Sequence, residues 1–278
     1  MSSFSDRLAA AIRAKRTALC VGLDPRLPLL PAELVTQHGP DAVAAVEEFC
    51  LRVLDIIAPI APIVKPQSAF FEALGPAGFL ALRHVLRRAK DLNLITILDA
   101  KRGDIASTAA AYAEAAFDVL DADALTVNPY LGRDAIEPFL TRARIDGRGL
   151  FVLVRTSNPG AGLFQDLNCD GLPLYRRVAQ AVNDWNAGRG DVGAVVGATH
   201  PAELGELRAA LPDVWLLIPG YGAQGGSAAD VRRGFRADGL GAIVNSSRGV
   251  TFPFRPDDAK WESAIESAAR SAANELIC

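Results

Sequence analysis

The sequence is poor in the residues that most often announce a site. Its 278 residues include four cysteines, three histidines and one methionine. Cys20, Cys50, Cys169 and Cys278 form no CxxC pair, and their spacing is too wide for a zinc ribbon. They read as reduced thiols in a reducing compartment. His38, His84 and His200 are scattered, with no HxH or HExxH. That argues against a histidine metal site and against Ser-His-Asp hydrolysis. A basic excess is also missing, since 29 Lys plus Arg face 32 Asp plus Glu for a formal net charge of -3. Nucleic-acid binders show the opposite balance, so no nucleic-acid partner is expected. A small anion stays possible, because a few local cations suffice for it. The longest apolar stretch, around residues 56–64, is interrupted by Pro59 and Pro62. It falls far short of the ~20 residues that cross a bilayer, so no membrane association is expected. The opening residues lack the apolar core and small-residue cleavage site of a secretion signal, and cytoplasmic residence is the expectation.

What is present is a repeating pattern. Half of the residues are hydrophobic and 22% are charged, which excludes a disordered chain. Eight short apolar runs recur at Leu19–Leu23, Ile60–Val64, Leu94–Leu98, Ala124–Val127, Leu150–Val154, Gly193–Gly197, Val214–Ile218 and Ala242–Asn245. Most are continuous rather than alternating, as in parallel strands buried on both faces. The gaps carry helical stripes. Examples are Val43, Val46, Phe49, Cys50, Val53, Leu54 and Ile57, then Phe79, Leu82, Val85, Leu86 and Ala89, then Ala109, Tyr112, Ala113, Ala116, Phe117 and Leu120. Eight strands with intervening helices predict an α/β fold, a (β/α)8 TIM barrel. A doubly wound open sheet fits less well, since no GxGxxG opens the chain. No linker or low-complexity tract divides residues 1–278, so a single domain is expected. Residues 5–16 read as an extra N-terminal helix and residues 258–275 as the last helix. The loop from Pro25 to Pro40 is long and carries no evident function.

In a barrel of this kind the chemistry sits just past the carboxyl ends of the strands. Strand 1 ends at Asp24, strand 2 at Lys65 and strand 3 at Asp99-Ala100-Lys101. Asp99 and Lys101 lie two apart, so an extended segment points both to one side, toward the lumen mouth. Lys65 projects from the neighbouring strand. A structural ion pair would account for one such pairing, but two lysines with two aspartates (the second being Asp104) suggest more. Asp104 stands where the next helix begins, and an N-cap role remains equally open on sequence grounds. After strand 5, Ser157 and Asn158 offer neutral polar contacts, although Asn-Pro-Gly is also an ordinary turn. The polar segment from Leu163 to Leu174 is long enough to form a lid. After strands 7 and 8, Gly220, Gly222, Gly225 and Gly226 free the backbone for close approach to an anion, with Gln224 and Arg248 as donors. Loops at these two strand ends are the usual phosphate cradle of the fold, so a small phosphate ester is the expected ligand.

Taken together these residues resemble a known family. Asp99-x-Lys101-x-x-Asp104-Ile105, within Leu-Asp-Ala-Lys-Arg-Gly-Asp-Ile-Ala-Ser-Thr, is similar to the signature of the orotidine 5'-phosphate decarboxylases. Val-Lys-Pro-Gln-x-Ala-Phe-Phe-Glu (64–72), Thr-Ser-Asn-Pro-Gly (156–160) and Pro-Gly-x-Gly-Ala-Gln-Gly-Gly (219–226) resemble the longer bacterial, type 2 subgroup. The resemblance implies decarboxylation of orotidine 5'-phosphate to UMP and CO2, the last step of de novo pyrimidine biosynthesis, without metal or cofactor. It also implies a homodimer with shared active sites. Lys65, Asp99 and Lys101 would come from one subunit, and Asp104, with Ile105 and Thr108 nearby, would reach into the partner's site. Lys101 would donate the proton to C6. Asp24 and Lys65 would touch the ribose hydroxyls, Ser157 the pyrimidine, and Gln224 and Arg248 the phosphate. Tyr221, at a variable position of the phosphate loop, would be a pocket wall. The rival is a Mg-dependent phosphosugar synthase on the same barrel, which shares Asp-x-Lys-x-x-Asp. It would be expected to place a carboxylate where this chain has Lys65.

Overall fold

The computed structural model describes residues 2–222 and 225–278 of the chain. Eight parallel strands form a closed barrel: β1 (Leu19–Leu23), β2 (Ile63–Pro66), β3 (Ile95–Arg102), β4 (Ala124–Val127), β5 (Gly149–Arg155), β6 (Val192–Val196), β7 (Leu216–Ile218) and β8 (Ala242–Ser246). Each strand pairs with its sequence neighbours, and β1 closes the ring on β8 through Leu19–Val21 against Val244–Ser246. The principal helices are α1 (Phe4–Lys15), α2 (Ala42–Ile57), α3 (Gly75–Asp91), α4 (Ala106–Glu114), α5 (Arg133–Ile145), α6 (Leu174–Asn186), α7 (Pro201–Ala210) and α8 (Trp261–Glu275).

The strands are buried on both faces, and successive residues alternate between two cores. Leu19, Val21, Val64, Leu98, Leu125 and Val244 face the outer helices. Cys20, Ile63, Ile95, Ile97, Phe151, Leu217 and Ile243 fill the lumen. The lumen is therefore packed below its mouth, and only the upper end of each strand is free for chemistry. Helix α1 closes the opposite end. Ser3 and Asp6 form a capping box at its start, and Phe4, Leu8 and Ile12 are buried. The Phe4 ring meets Phe151 edge-on at 6.0 Å, and Trp215 Nε1 donates to Ser5 Oγ at 2.7 Å. A Cβ at Gly149 would fall 2.4 Å from the Phe4 ring, so a side chain there would displace the plug.

Several expectations need correction. The second strand starts at Ile63 rather than Ile60, because the N–H groups of Ile60 and Ala61 return to Ile57 and prolong the turn after α2. The 25–40 segment is not a plain loop. It holds a 3-10 turn at Leu27–Leu29 and a helix at Ala32–His38, with Leu34 buried. The 163–174 segment likewise contains a short helix (Gly162–Gln165) and a two-stranded ribbon pairing Asn168–Cys169 with Leu172–Pro173. Phe79 lies off the core stripe of α3 and is exposed, as is Tyr112 on α4. Between β7 and β8 the crossover shrinks to a short helix, Ala228–Val231, and one 3-10 turn, Arg232–Gly234. No helix among the described residues is long and apolar enough to cross a membrane.

Candidate active site

At the open mouth, Asp99 is the hub. Its Oδ2 accepts from Lys65 Nζ at 2.6 Å and Gln67 Nε2 at 3.1 Å. Its Oδ1 accepts from Lys101 Nζ at 2.6 Å and Thr126 Oγ1 at 2.9 Å. Lys65, Asp99 and Thr126 are buried, whereas the Lys101 side chain is 46% exposed. Lys65 and Lys101 thus flank one carboxylate, with Lys101 on the side open to ligand.

The route by which Lys101 arrives there differs from simple alternation. The β3–β4 register shifts between Leu98 and Arg102, and Lys101 takes the left-handed conformation at φ 48°. That geometry is costly for a residue with a Cβ and persists only where the surroundings impose it. Here Thr126 does so. Its hydroxyl accepts the N–H groups of Ala100 (3.0 Å) and Lys101 (2.9 Å) while donating to Asp99. Gln67 and Thr126 were not singled out from sequence. The available signals were a threonine inside the apolar run of strand 4 and a glutamine directly after Lys65-Pro66.

Electrostatics follow from burial and pairing. Burial alone would push the Asp99 carboxyl up, but Lys65 and Lys101 outweigh it and hold the group well below the usual carboxylate range. Burial would pull the Lys65 ammonium down, and the Asp99 and Asp24 carboxylates reverse that, so Lys65 titrates above an ordinary lysine. The arrangement is a fixed plus-minus-plus triad at neutral pH. Beneath it, burial pushes the Cys20 thiol up to about 12, which leaves it protonated and a poor nucleophile.

Two adjoining cavities meet at this triad. One, of about 410 Å³, has apolar walls from Leu153, Val195, Leu217 and Pro219 and a polar edge from Thr156, Ser157 and Asn158. The other, of about 300 Å³, is lined by Asp24, Arg26, Gln67, Tyr221, Asn245, Ser247 and Arg248. Lys65, Asp99 and Pro219 border both. Asp24 Oδ2 accepts from the Ser247 hydroxyl, while its buried Oδ1 has no hydrogen-bond partner among the described residues. A ligand hydroxyl is the natural donor for such an orphaned acceptor. Tyr221, at the rim of the second cavity, donates its hydroxyl to Glu275 of α8. Gly220, Gly222 and Gly225 have φ of 95°, 71° and 99°, the backbone region where side chains are strained. Gln224 lies outside the described residues.

Asp104, Ile105 and Thr108 line neither cavity. Asp104 does not cap α4 either. Ile105 is the N-cap residue, and Asp104 Oδ1 accepts the adjacent Ile105 N–H at 2.8 Å. Ile105 and Thr108 are exposed and Asp104 is half-buried, all three outside the cavities of their own chain. Gly103 lets this turn pack close, since a Cβ there would lie 3.2 Å from the Asn128 carbonyl oxygen.

Comparison with known proteins bears on this geometry. Residues 17–259 match the model of the Orotidine 5'-phosphate decarboxylase / HUMPS family. An orotidine 5'-phosphate decarboxylase of Rhodopirellula baltica is 47% identical, covering 96% of this chain and 97% of that protein. One from a Roseiflexus species is 46% identical, over 99% and 96%. Among solved structures, the OMP decarboxylase of Leishmania donovani superposes with a TM-score of 0.83 at 39% identity, covering 99% of this chain and 97% of that one.

Proposed function

Because the chain belongs to the orotidine 5'-phosphate decarboxylase / HUMPS family, we propose specific roles for its triad and its two cavities. The chain is a carboxy-lyase of pyrimidine biosynthesis that converts orotidine 5'-phosphate to UMP. The difficulty of that reaction is the electron pair left on ring carbon C6 when the bond to CO2 breaks. Charge of this kind is best met by a cation already in place. Lys101 is that cation. Its ammonium stabilises the developing carbanion and then transfers a proton to C6, and the resulting amine regains a proton from solvent. Asp99 keeps Lys101 oriented, and Lys65 keeps Asp99 ionised.

The observation that carries this reading is the Asp99 carboxylate gripped at 2.6 Å by both ammonium groups, on the border of the two cavities. The pyrimidine takes the apolar cavity, with Ser157 at its polar edge. The phosphate takes the polar one, beside Arg248, with Gln224 as a further donor. The ribose lies between, its hydroxyls meeting Asp24 and Lys65. Asp99 also stands near the departing carboxylate. Two like charges ~4 Å apart repel by about 4 kcal/mol at an effective dielectric near 20. Enzymatic accelerations commonly require ~8 kcal/mol or more, so stabilisation of the carbanion is the larger contribution and repulsion the smaller.

The reading extends to a homodimer in which Asp104, Ile105 and Thr108 complete the partner's site. What supports this is that they line neither cavity of their own chain, together with exposed apolar side chains on α4 and at residues 130–131. Ile105 is 56% and Tyr130 81% exposed, and Tyr112 and Leu131 are exposed as well. The decisive assay follows the ultraviolet absorbance of orotidine 5'-phosphate. The wild-type chain depletes it, and Lys101→Ala loses about 10²–10⁴-fold or more of that rate. Near-normal turnover by Lys101→Ala would remove it as the proton donor.

A further inference from the structure

The turn after β5 is held from behind by a residue that lines neither cavity. Gln165, half-buried on the short helix Gly162–Gln165, grips Thr156 twice. Its Oε1 accepts the Thr156 N–H at 3.0 Å, and its Nε2 donates to Thr156 Oγ1 at 2.7 Å. Thr156 Oγ1 in turn donates to Asn158 Oδ1 at 2.7 Å. Direction matters in this relay. A hydroxyl has one proton, so Thr156 Oγ1, already accepting from Gln165, gives that proton to Asn158. The carboxamide of Gln165 therefore fixes which way Thr156 points and which face of the Asn158 amide turns back toward the chain.

The residues so held, Thr156, Ser157 and Asn158, are the polar edge of the apolar cavity. The helix bearing Gln165 is itself anchored at its C-terminal end. Arg155, buried at the end of β5, binds Glu203 of α7 through Nε (2.6 Å) and Nη2 (3.2 Å). Its Nη1 lies 2.7 Å from Asp166 Oδ1, and its guanidinium covers the Tyr175 ring at 4.9 Å. Outside this anchor the segment is open, with Leu163, Phe164 and Leu167 all more than half exposed. Its ordered contact with the mouth thus runs through Gln165 and Asp166.

We propose that Gln165 is a positioning residue for base recognition: it sets the Thr156–Asn158 edge in register against the pyrimidine and acts through that edge. The inference rests on the reading that the apolar cavity takes the base. The test uses two ligands that share a phosphate and a ribose but differ in the base, UMP and ribose 5-phosphate. Their affinities for the full chain are measured by calorimetry in wild type, Gln165→Ala and Gln165→Glu. Gln165→Ala, which loses two hydrogen bonds that hold the edge, weakens UMP about tenfold and leaves ribose 5-phosphate within about twofold. Gln165→Glu retains an acceptor for the Thr156 N–H and falls between. Equal losses for both ligands would mean a general loosening of the mouth and overturn the proposal, as would unchanged UMP affinity in both variants. If wild type binds UMP no better than ribose 5-phosphate, the placement of the base itself fails, a result distinct from the other two.

Discussion

Asp99 accepts four hydrogen bonds, which fills the lone-pair capacity of an ionised carboxylate. Its depressed titration makes the sign of its pH dependence definite. The unfolded chain binds the proton first, so the stabilisation from Asp99 is complete above about pH 5 and is lost below ~3.9 as pH falls toward the folded value. Lys65, raised in the fold, behaves oppositely. Its contribution is complete below ~10.4 and fades as pH rises beyond that. The unfolding free energies of wild type and Asp99→Asn should therefore differ by a constant amount from about pH 5 to 7 and converge below pH 4. Denaturant titrations across that range check it; a gap that widens on acidification would mean Asp99 is not ionised in the fold. Much of this residue-level picture was legible in the sequence, because opposite charges at the ends of neighbouring barrel strands converge on one mouth. The full coordination of Asp99 was not. Gln67 and Thr126 come from two different strand ends, and their approach to one carboxylate depends on how the barrel closes.

Among elements, the bulge of β3 shows how local pattern and tertiary structure divide the work. Two-residue spacing correctly put Asp99 and Lys101 on one side, but for an incomplete reason. The strand does not continue as a regular extended segment; it breaks register and sends Lys101 into the left-handed region. The hydroxyl that imposes this lies on β4, 25 residues from Lys101. Thr126→Val keeps the shape but leaves two main-chain N–H groups without their acceptor. The expected cost is about 1–3 kcal/mol of stability, with a fall in turnover larger than any change in KM. Thr126→Ser should restore both, and wild-type kinetics in the valine variant would show that the bulge holds itself. Other misses at this scale share a cause. The helix Ala32–His38 is two turns long and buries only Leu34, too little periodicity to register. The displaced start of β2 reflects a helix end that Pro59 and Pro62 marked less sharply than their composition suggested.

For the whole molecule, eight apolar runs and their spacing were enough to specify a barrel, since parallel strands linked by helices have few other ways to close. What sequence pattern lacked was a view of surfaces. Nothing in it distinguished the buried face of α1, which seals the lumen, from the exposed apolar surface of Ile105, Tyr112, Tyr130 and Leu131. If that surface is shared with a second copy, mixing Asp104→Ala subunits with Lys101→Ala subunits regenerates one intact site per heterodimer. Activity should recover to a sizeable fraction of wild type, measured on separately tagged and co-purified chains. No recovery in verified heterodimers would refute sharing. The common wall of the two cavities, Lys65, Asp99 and Pro219, has a consequence for ligand design. A molecule whose base and phosphate are tethered through one sugar docks its second half at high effective concentration once the first is seated. Severed into its two fragments, the same set of contacts forfeits that advantage, so neither piece alone should compete well with the intact nucleotide.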